Sequence, residues 1–551
     1  MHTLLLSDAI RAVEARALES SAPGALMDRA AEALAQVCVG CLRDLPAGTP
    51  VLALVGPGNN GGDALLTSLK LADRGYTVQA IALRSESSPV GDAARVHRMW
   101  SQRALPLWPA SELDRFIAHQ PLVIDGLFGI GLSRPLSDEA AEIAMRLAST
   151  GLTVVAVDVP SGIDVDTGGI VGPEGSKAVK ADLTVTMIAD KPGLHTGMGR
   201  VHAGRVQLAD LGLAGVSTDG LSHPDGNDPI TLAINPTEPD RFDCPIAING
   251  VLNDSSWAGG VLESRSIDAH KGRFGDVLLI RGAPSMQGAS LLAALGAQAV
   301  GAGRLFIGVE DAQTAANPLH PELMTRPIDP SLAGESGLGR AHAIVIGCGL
   351  GTEPVGHLKL SAALAHSAPL VLDADALNVI ASDARLMAAL KKRSRETRNT
   401  ILTPHPLEAA RLLACTTARV QGDRLRAACE LARRAQAIVV LKGAGSLIAS
   451  PTGEWSINAS GGPILATAGT GDVLAGVIGG LLAQGLAPEL AARLGVWLHG
   501  AAGDGLAQQA QWASGIGLPA SHLASAIRQT INRLTSPARA EPANHSASDH
   551  S

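Results

Sequence analysis

Short apolar runs, loops rich in glycine and acidic residues, and stretches with helical spacing alternate along the chain, without any internal sequence repeat. Alternating strands and helices predict parallel sheets that are covered by helices on both faces. The predicted strands are Val51–Val55, Thr77–Leu83, Leu122–Asp125, Thr153–Asp158 and Leu183–Ile188, followed by Val277–Ile280, Arg304–Val309, Ala343–Ile346, Leu370–Asp373, Thr400–Leu402 and Ile438–Lys442. Residues 1–45 carry apolar side chains at helical spacing and are predicted as helices. The predicted fold class is α/β.

Chain length and an interruption of this pattern together indicate two domains. At 551 residues the chain is too long for one ordinary hydrophobic core. From about Ala214 to Gly260 the alternation lapses, and turn-forming proline, aspartate, asparagine and glycine become frequent, as in a linker. We therefore predict one domain over 1–215, a linker over 216–262, a second domain over 263–535 and a disordered polar tail over 536–551.

Composition excludes several classes of protein. The formal net charge is −8 and basic residues are not clustered over any long stretch, so a nucleic-acid partner is not expected. The sequence contains no run of 18 uninterrupted apolar residues, so no membrane span is expected. Six cysteines among 551 residues and the lack of a signal peptide predict a cytoplasmic protein.

Asp472 is the strongest candidate for a catalytic group in the second half. It follows Gly469 and Gly471, and the apolar residues after it recur at helical spacing, so we place it near a helix N-terminus. Unpaired N–H groups at such a terminus favour phosphate, and glycines let a ligand approach the backbone. An aspartate there could accept a proton from an attacking hydroxyl. The motif alone is equally typical of a helix cap.

Three loops in the first half are predicted to meet at one edge of the sheet. The loop Gly56–Asp63 contains G-x-G-x-x-G, a weak dinucleotide signature by itself, together with additional amide and carboxylate side chains. Asp125 opens the loop that runs to Pro135, and Asp158 opens the loop that contains Ser161. Ligands of open α/β sheets bind outside the carboxyl ends of the strands, so these loops form one candidate site. Alternatively, both aspartates cap the turns that follow them.

In this order the three motifs resemble the NAD(P)H-hydrate epimerase domain over roughly residues 1–215. The resemblance implies a Rossmann-like three-layer α/β/α fold and the substrates NADHX and NADPHX, which are hydrated nicotinamide dinucleotides. It implies a potassium ion held by Asn60, Asp125 and Ser161, and we expect Asp158 to handle the proton. The implied substrate contacts are Asn59, Asn60, Gly61, Gly62, Asp63, Gly129, Ile130, Gly131, Leu132, Ser133, Arg134, Pro135 and Asp158. The alternative for this half is a binding module without activity.

The loops of the second half resemble the ADP-dependent NAD(P)H-hydrate dehydratase, a branch of the ribokinase-like fold, over roughly 263–534. The motifs that carry the resemblance are His270–Gly275, Ile346–Gly351, Val371–Asn378, Thr403–Glu408, Leu441–Ser446 and Gly469–Asp472. The implied ADP contacts are Lys442, Gly443, Ala444, Gly445, Ser446 and Gly471. The implied contacts to the hydrated dinucleotide are Ala289, Gly351, His405 and Asp472. Cys348 departs from the family, which usually has proline at that position.

Several of these residues keep an alternative explanation. Lys442 could be a surface lysine at a strand end, and His405 could be a loop histidine satisfied by its neighbours. Asp373 and Asp375 could bind Mg²⁺ or cap the next helix.

The combined resemblance implies one bifunctional enzyme. One half interconverts the R and S epimers, and the other phosphorylates the S hydroxyl with ADP and expels it as phosphate, which also yields AMP. In that step Asp472 acts as the general base and Mg²⁺ neutralises charge. The expected assembly is a homo-oligomer. The alternative function is a ribokinase-like kinase of a small alcohol fused to a dinucleotide-binding module.

Overall fold

The computed structural model describes residues 2–84, 88–213, 242, 246–262, 264–311, 320–396 and 399–535. Most of the predicted linker and the whole predicted tail over 536–551 lie outside the described residues. The chain divides into two compact units. The first unit combines His2–Leu252 with Pro404–Ala459, and the second combines Asn253–Thr403 with Ser460–Ser551.

The secondary-structure elements of the described residues alternate along most of the chain. In chain order the strands are β1 (His2–Leu5), β2 (Val51–Val55), β3 (Val78–Ala82), β4 (Leu107–Pro109), β5 (Leu122–Gly126), β6 (Val154–Val157), β7 (Leu183–Met187), β8 (Arg205–Ala209), β9 (Asn249–Asn253), β10 (Asp276–Ile280), β11 (Arg304–Val309), β12 (Met324–Pro327), β13 (Ala343–Ile346), β14 (Leu370–Leu372), β15 (Thr400–Leu402), β16 (Ile438–Leu441), β17 (Leu447–Ala449) and β18 (Trp455–Asn458). The α-helices are α1 (Ser7–Ser20), α2 (Ala25–Arg43), α3 (Asn59–Asp73), α4 (Gly91–Gln102), α5 (Leu113–Ile117), α6 (Asp138–Ala148), α7 (Gly197–His202), α8 (Ser255–Gly259), α9 (Gln287–Ala299), α10 (Glu335–Leu338), α11 (Pro354–Ala365), α12 (Asp375–Ser382), α13 (Ala384–Arg395), α14 (Pro406–Leu413), α15 (Thr417–Gly422), α16 (Arg424–Ala435), α17 (Thr470–Ala483), α18 (Pro488–Ala507) and α19 (Ala520–Thr535).

The first unit is built on a parallel seven-stranded sheet with the order β4-β3-β2-β5-β6-β7-β8. Its central strands are buried along their whole length, because helices cover both faces. Helices α2, α3 and α4 supply the apolar core on one face, and α5 and α6 supply it on the other. The same unit contains the antiparallel strands β16, β17 and β18 and the antiparallel pair β1 and β9. The predicted covered parallel sheet is confirmed.

The second unit contains six parallel strands in the order β15-β14-β13-β10-β11-β12. Helices α9 and α17 pack in close contact in this unit. A Cβ at Gly476 would lie 1.8 Å from the carbonyl oxygen of Ala293, and one at Gly296 would lie 2.3 Å from that of Val473. Only glycine permits this approach of the two backbones. The packing fixes the position of the α17 N-terminus, where Asp472 lies in the first helical turn.

Each strand predicted from the apolar runs is present, and its ends differ from the prediction by at most one residue. The prediction for residues 1–45 is confirmed for α1 and α2, but it missed β1. Among the described residues, no helix combines the length and apolarity that crossing a membrane requires.

Candidate functional site

A cavity of about 600 Å³ opens in the first unit at the carboxyl ends of its central strands. Eight residues predicted to contact a dinucleotide line it, namely Asn59, Asn60, Asp63, Gly129, Ile130, Gly131, Leu132 and Asp158. Gly61 and Gly62 are buried inside α3 and do not line the cavity. Ser133, Arg134 and Pro135 are exposed and lie outside the lining, so their substrate contacts stay predictions. The loops at the strand ends therefore meet as the sequence predicted.

Asp158 has an unusual backbone conformation at the end of β6. Its φ angle is +66°, in the left-handed region that few non-glycine residues adopt. One carboxylate oxygen, Oδ1, accepts the backbone N–H of Met187 at 3.0 Å. The same oxygen lies 2.7 Å from Nζ of Lys191. Strained backbone of this kind concentrates at functional sites, where the surrounding structure holds it in place.

Lys191 is the functional candidate that the sequence analysis missed. Its side chain is fully buried, and Nζ donates to the hydroxyl of Thr186 at 2.7 Å and to the carbonyl oxygens of Met187 and Ala189 at 2.9 and 3.0 Å. A buried ammonium needs such partners and a counter-charge. The signal was available, because Asp190-Lys-Pro-Gly follows a predicted strand as the other loops do.

Two more carboxyl groups line the cavity beside Asp158. Burial, followed by the negative charge of Asp158, raises the pKa of Asp63 well above its usual value. The same two causes, in the same order, raise the pKa of Glu14, which α1 contributes to the cavity. The cavity therefore places two carboxyl groups with raised pKa values near the Asp158–Lys191 ion pair, and perturbed carboxyl groups of this kind concentrate at sites of proton transfer.

The three predicted potassium ligands lie close to this cavity. The carboxylate of Asp125 accepts the hydroxyl of Ser161 at 2.6 Å and its backbone N–H at 2.9 Å, and both residues are fully buried. Burial raises the pKa of Asp125 to about 6. The amide Nδ2 of Asn60 donates to the carbonyl oxygen of Val157 at 2.9 Å. Its Oδ1 faces the loop at Gly129, where a Cβ would lie 2.6 Å away.

In the second unit, Asp472 lies in a small cluster of possible ligands. One ligand atom from each of Cys348, Asp373 and Asp472 falls within 4.8 Å of the others. Asp373 is buried, and its Oδ1 accepts the hydroxyl of Thr403 at 2.8 Å. The N-cap position of α17 is Gly469, and no side chain caps this helix there. Asp472 lies in the first helical turn and is not the N-cap residue.

The remaining predicted substrate contacts of the second unit lie on neighbouring loops. The N–H of Gly351 donates to Oδ2 of Asp375 at 2.9 Å. A Cβ at Gly349 would lie 3.2 Å from that of Ala289, so the loop after β13 packs on the start of α9.

Gly471, a predicted ADP contact, lies in the first turn of α17 in the second unit, whereas His405 and the loop Lys442–Ser446 belong to the first unit. His405 caps α14, because its Nδ1 accepts the N–H groups of Leu407 and Glu408 at 3.1 and 3.4 Å. Its side chain is 46% exposed. The loop Lys442–Ser446, which joins β16 to β17, is exposed at its two central residues, Gly443 and Ala444. The ligand roles of His405 and of this loop stay predictions.

Parallel sheets that carry acidic and glycine-rich loops at their carboxyl ends define an α/β protein of the nucleotide-handling class. Residues 23–193 match the family described as YjeF-related protein N-terminus, and residues 277–529 match the family described as NAD(P)H-hydrate dehydratase.

Similarity to individual proteins extends over most of the chain. The chain is 34% identical over 477 residues to the bifunctional NAD(P)H-hydrate repair enzyme Nnr of Moorella thermoacetica, with 83% of each chain covered. The chain therefore belongs to the family of bifunctional NAD(P)H-hydrate repair enzymes, which confirms the resemblance inferred from the motifs.

Two further similarities cover the second half. The ADP-dependent (S)-NAD(P)H-hydrate dehydratase of Neisseria meningitidis is 43% identical over 279 residues, which are 50% of this chain and 91% of that protein. A crystal structure of the ADP/ATP-dependent NAD(P)H-hydrate dehydratase from Bacillus subtilis, co-crystallised with ATP and Mg²⁺, has a TM-score of 0.45 and 30% identity, covering 52% of this chain and 99% of that one.

Proposed function

We propose that this protein repairs hydrated nicotinamide dinucleotides by two reactions. The first interconverts the R and S epimers of NADHX and NADPHX, and the second dehydrates the S epimer with ADP. The observation that carries the proposal is the cavity at the strand ends, where Asp158 is ion-paired to the buried Lys191.

Incubation with mixed NADHX epimers tests both reactions. With ADP, complete recovery of NADH absorbance is expected, because the R epimer is converted to the S epimer. Without ADP, only epimer exchange is expected. Accumulation of a stable phosphorylated product would instead favour the small-alcohol kinase.

In the first reaction Asp158 moves the proton. Inversion at C6 of the hydrated ring requires a bond to this carbon to break and re-form: removal of the C6 hydroxyl proton opens the C6–N1 bond to an aldehyde while N1 takes up a proton, and closure on the opposite face returns both protons. A carboxylate at the cavity wall can take and return the hydroxyl proton. The ammonium of Lys191 stabilises the negative charge of Asp158 at 2.7 Å. Asp63 and Glu14, whose pKa values burial and the charge of Asp158 raise, line the same cavity and are further polar groups that the dinucleotide can contact.

In the second reaction Asp472 deprotonates the C6 hydroxyl of the S epimer. The hydroxyl oxygen then attacks the β-phosphorus of ADP, a phosphate ester forms, and AMP leaves. The lone pair of the ring nitrogen expels the phosphate to give an iminium ion, and loss of a proton from C5 to water then forms NADH or NADPH. We assign Lys442–Ser446 and Gly471 to ADP, and Ala289, Gly351 and His405 to the dinucleotide.

We propose Mg²⁺ for the second reaction. The donor set fits this ion, because the carboxylate of Asp373 lies close to Asp472, the proposed base, and Mg²⁺ prefers oxygen ligands. The thiol of Cys348 is not a ligand that Mg²⁺ prefers. Asp375 offers a further carboxylate near Gly351. When bound, Mg²⁺ neutralises charge on the phosphoryl group in transfer.

We propose K⁺ for the epimerase half, held by Asn60, Asp125 and Ser161. These residues provide amide, carboxylate and hydroxyl oxygens from three loops, a set that suits a hard cation. The contact between Asp125 and Ser161 already joins two of the loops. When bound, the ion would hold all three loops in register beneath the substrate cavity.

The change Asp125→Ala is expected to slow epimerisation about tenfold, the usual scale for losing a ligand-supporting group. Excess potassium should restore it only partly, and dehydration of purified S epimer should be unchanged. The measurement is the epimerisation rate in potassium-free buffer and after potassium is added back. Asp166→Ala is the matched control, because Asp166 accepts the N–H and hydroxyl of Ser7 at 2.8 and 2.7 Å in the same way. A wild-type rate that ignores potassium would leave Asp125 as a turn cap.

The change Lys191→Met is expected to lower both stability and epimerisation. It leaves Asp158 as a buried charge without its partner, which typically costs about 3 kcal/mol of unfolding free energy. Thermal and urea unfolding measure this loss, and epimer exchange measures the activity. The exposed Lys180, changed to methionine, is the control. Wild-type stability and activity in Lys191→Met would remove the ion pair from the mechanism.

We propose a cytoplasmic location and homo-oligomeric assembly. The low cysteine content supports the first. The exposed edge strand β8 supports the second, because unpaired edges favour association. Light scattering of the purified protein tests the assembly, and a monomeric mass would contradict it.

A further inference from the structure

Within the first unit, the segment that precedes α7 is hydrogen-bonded to the loop Lys442–Ser446. The hydroxyl of Thr196 lies 3.1 Å from the carbonyl oxygen of Gly445 and 3.3 Å from that of Ala444. The backbone N–H of Gly197 also donates to the carbonyl of Ala444, at 3.0 Å. Thr196 is fully buried at this contact.

Arg424, at the start of α16, contacts both Thr196 and the start of the loop. Its Nε donates to the hydroxyl of Thr196 at 3.1 Å. Its Nη2 donates to the carbonyl oxygens of Leu441 and Lys442 at 3.4 and 3.3 Å. The guanidinium is buried, which lowers its pKa to about 10, so it remains charged at neutral pH. The hydroxyl of Thr196 therefore receives one hydrogen bond from Arg424 and gives its own proton to the loop.

The close contact of the loop with His195, Thr196 and Arg424 depends on two glycines. Gly445 has a φ angle of +62°, and a Cβ there would lie 1.8 Å from the carbonyl oxygen of His195. Gly443 has a φ angle of +142°, and its Cβ would lie 2.8 Å from Nη2 of Arg424. The two glycines thus allow the loop backbone to lie directly on His195, Thr196 and Arg424.

A second contact holds the end of the loop. The guanidinium of Arg200 donates to the carbonyl oxygens of Asn458 and Ala459, both at 2.9 Å. The N–H of Asn458 in turn donates to the carbonyl of Ser446 at 2.9 Å.

These contacts determine which way the loop presents its donors. A trans peptide is planar, so each N–H points away from the carbonyl of the preceding residue. The carbonyls of Lys442, Ala444 and Gly445 are directed at Arg424 and Thr196. The N–H groups that follow them, on Gly443, Gly445 and Ser446, therefore point to the opposite side. Successive N–H groups aimed the same way form an anion-binding surface, as phosphate requires.

We propose that Thr196 is a positioning residue for ADP, through which the epimerase half of the chain sets the shape of the nucleotide loop of the dehydratase half. This inference rests on the proposed assignment of Lys442–Ser446 to ADP. Thr196 does not line the substrate cavity of the first unit, so its effect on ADP is separable from epimerisation. Without its hydroxyl, the carbonyl oxygens of Ala444 and Gly445 lose the hydrogen bond from Thr196, and the N–H groups of Gly445 and Ser446 are held less firmly in their direction.

The change Thr196→Val keeps the shape of the side chain and removes the hydroxyl. The KM for ADP is expected to rise about tenfold, the scale of a buried hydrogen bond whose partners are left unsatisfied. The kcat at saturating ADP should stay within about twofold of wild type, and epimerisation should be unchanged. Thr196→Ser, which restores the hydroxyl, should return the KM for ADP to within a few-fold of wild type. Calorimetric titration with ADP measures the same change as a Kd.

Two further variants distinguish an error in the assignment of the loop to ADP from an error in the positioning role of Thr196. Thr184→Val removes a similar buried hydroxyl, which donates to the carbonyl of Ala203 at 2.7 Å, and it should leave the KM for ADP unchanged. Lys442→Ala tests the loop itself. If Lys442→Ala leaves ADP affinity unchanged, the assignment of the loop to ADP is wrong. If Lys442→Ala weakens ADP binding but Thr196→Val binds ADP like wild type, or loses kcat alone, the positioning role is wrong.

Discussion

The change Asp472→Asn is expected to lower ADP-dependent dehydration of S-NADHX about a hundredfold or more, the usual loss when a general base is removed. Asparagine has nearly the same shape but cannot accept the hydroxyl proton. Epimerisation should be unaffected, because Asp472 belongs to the second unit and the cavity proposed for epimerisation lies in the first. The ADP affinity should also persist, since the backbone at Gly471 is unchanged. Single-turnover conversion of purified S epimer measures the effect.

A structural role for Asp472 predicts a different result. The carboxylate lies in the first turn of α17, where a negative charge stabilises the helix dipole by up to about 1 kcal/mol. Loss of that charge lowers the melting temperature slightly but leaves turnover within a few-fold of wild type. Asp254→Asn is a suitable control, because Asp254 caps α8 in the same unit by accepting the N–H of Trp257 at 2.9 Å. Activity within a few-fold of wild type in Asp472→Asn would remove it from the mechanism.

The central parallel strands could be predicted from sequence because both of their faces are buried. Strands such as β2 and β5 read as continuous apolar runs bounded by loops, and no tertiary information is needed to find them. Several of the strands that were missed lack this signature, although β17 and β18 were missed despite being buried at every position. Strand β8 is exposed at most positions, and β12 is exposed at three of its four residues. Strand β1 has only four residues and directly precedes a helix, so its pairing with β9 decides its conformation.

The candidate site was predictable where it follows from the position of loops at strand ends. Asn60 and Asp158 belong to such loops, and the cavity unites them. Contributions from distant helices were not predictable, because Glu14 and Met27 enter the cavity only through the packing of α1 and α2. The burial of Lys191 likewise depends on carbonyl oxygens that turn toward it after β7.

The contact between Thr196 and the loop Lys442–Ser446 carries no local sequence signal. Its partners are separated by about 250 positions in the chain. Each side appears in the sequence as an ordinary glycine-containing turn, Thr196-Gly197 and Gly443-Ala-Gly445. The association of Pro404–Ala459 with the first unit could not be predicted from the sequence either, because it depends on packing between segments that are distant in the chain.

The change Asp158→Asn is expected to slow epimerisation about a hundredfold or more, because the amide cannot carry the proton. Asparagine is the informative substitution, since it tolerates the φ angle of +66° that would strain most other residues. The N–H of Met187 can still donate to the side-chain oxygen. Dehydration of purified S epimer should stay at the wild-type rate. Epimer exchange, followed by chromatography of the two forms, measures the loss.

A double variant of Asp158 and Lys191 separates the effect on catalysis from the effect on stability. Asp158→Asn leaves the buried ammonium without a counter-charge, so unfolding free energy should fall by about 3 kcal/mol. Adding Lys191→Met removes the unpaired charge, and the double variant should be more stable than Asp158→Asn alone. Its epimerisation should remain as slow, because restored packing does not restore the proton carrier. Asp182→Asn is the control, since Asp182 accepts the N–H of Val154 at 2.9 Å away from the cavity. If the double variant regained epimerisation together with stability, Asp158 would be a structural residue and the proton would have to move through Glu14 or Asp63.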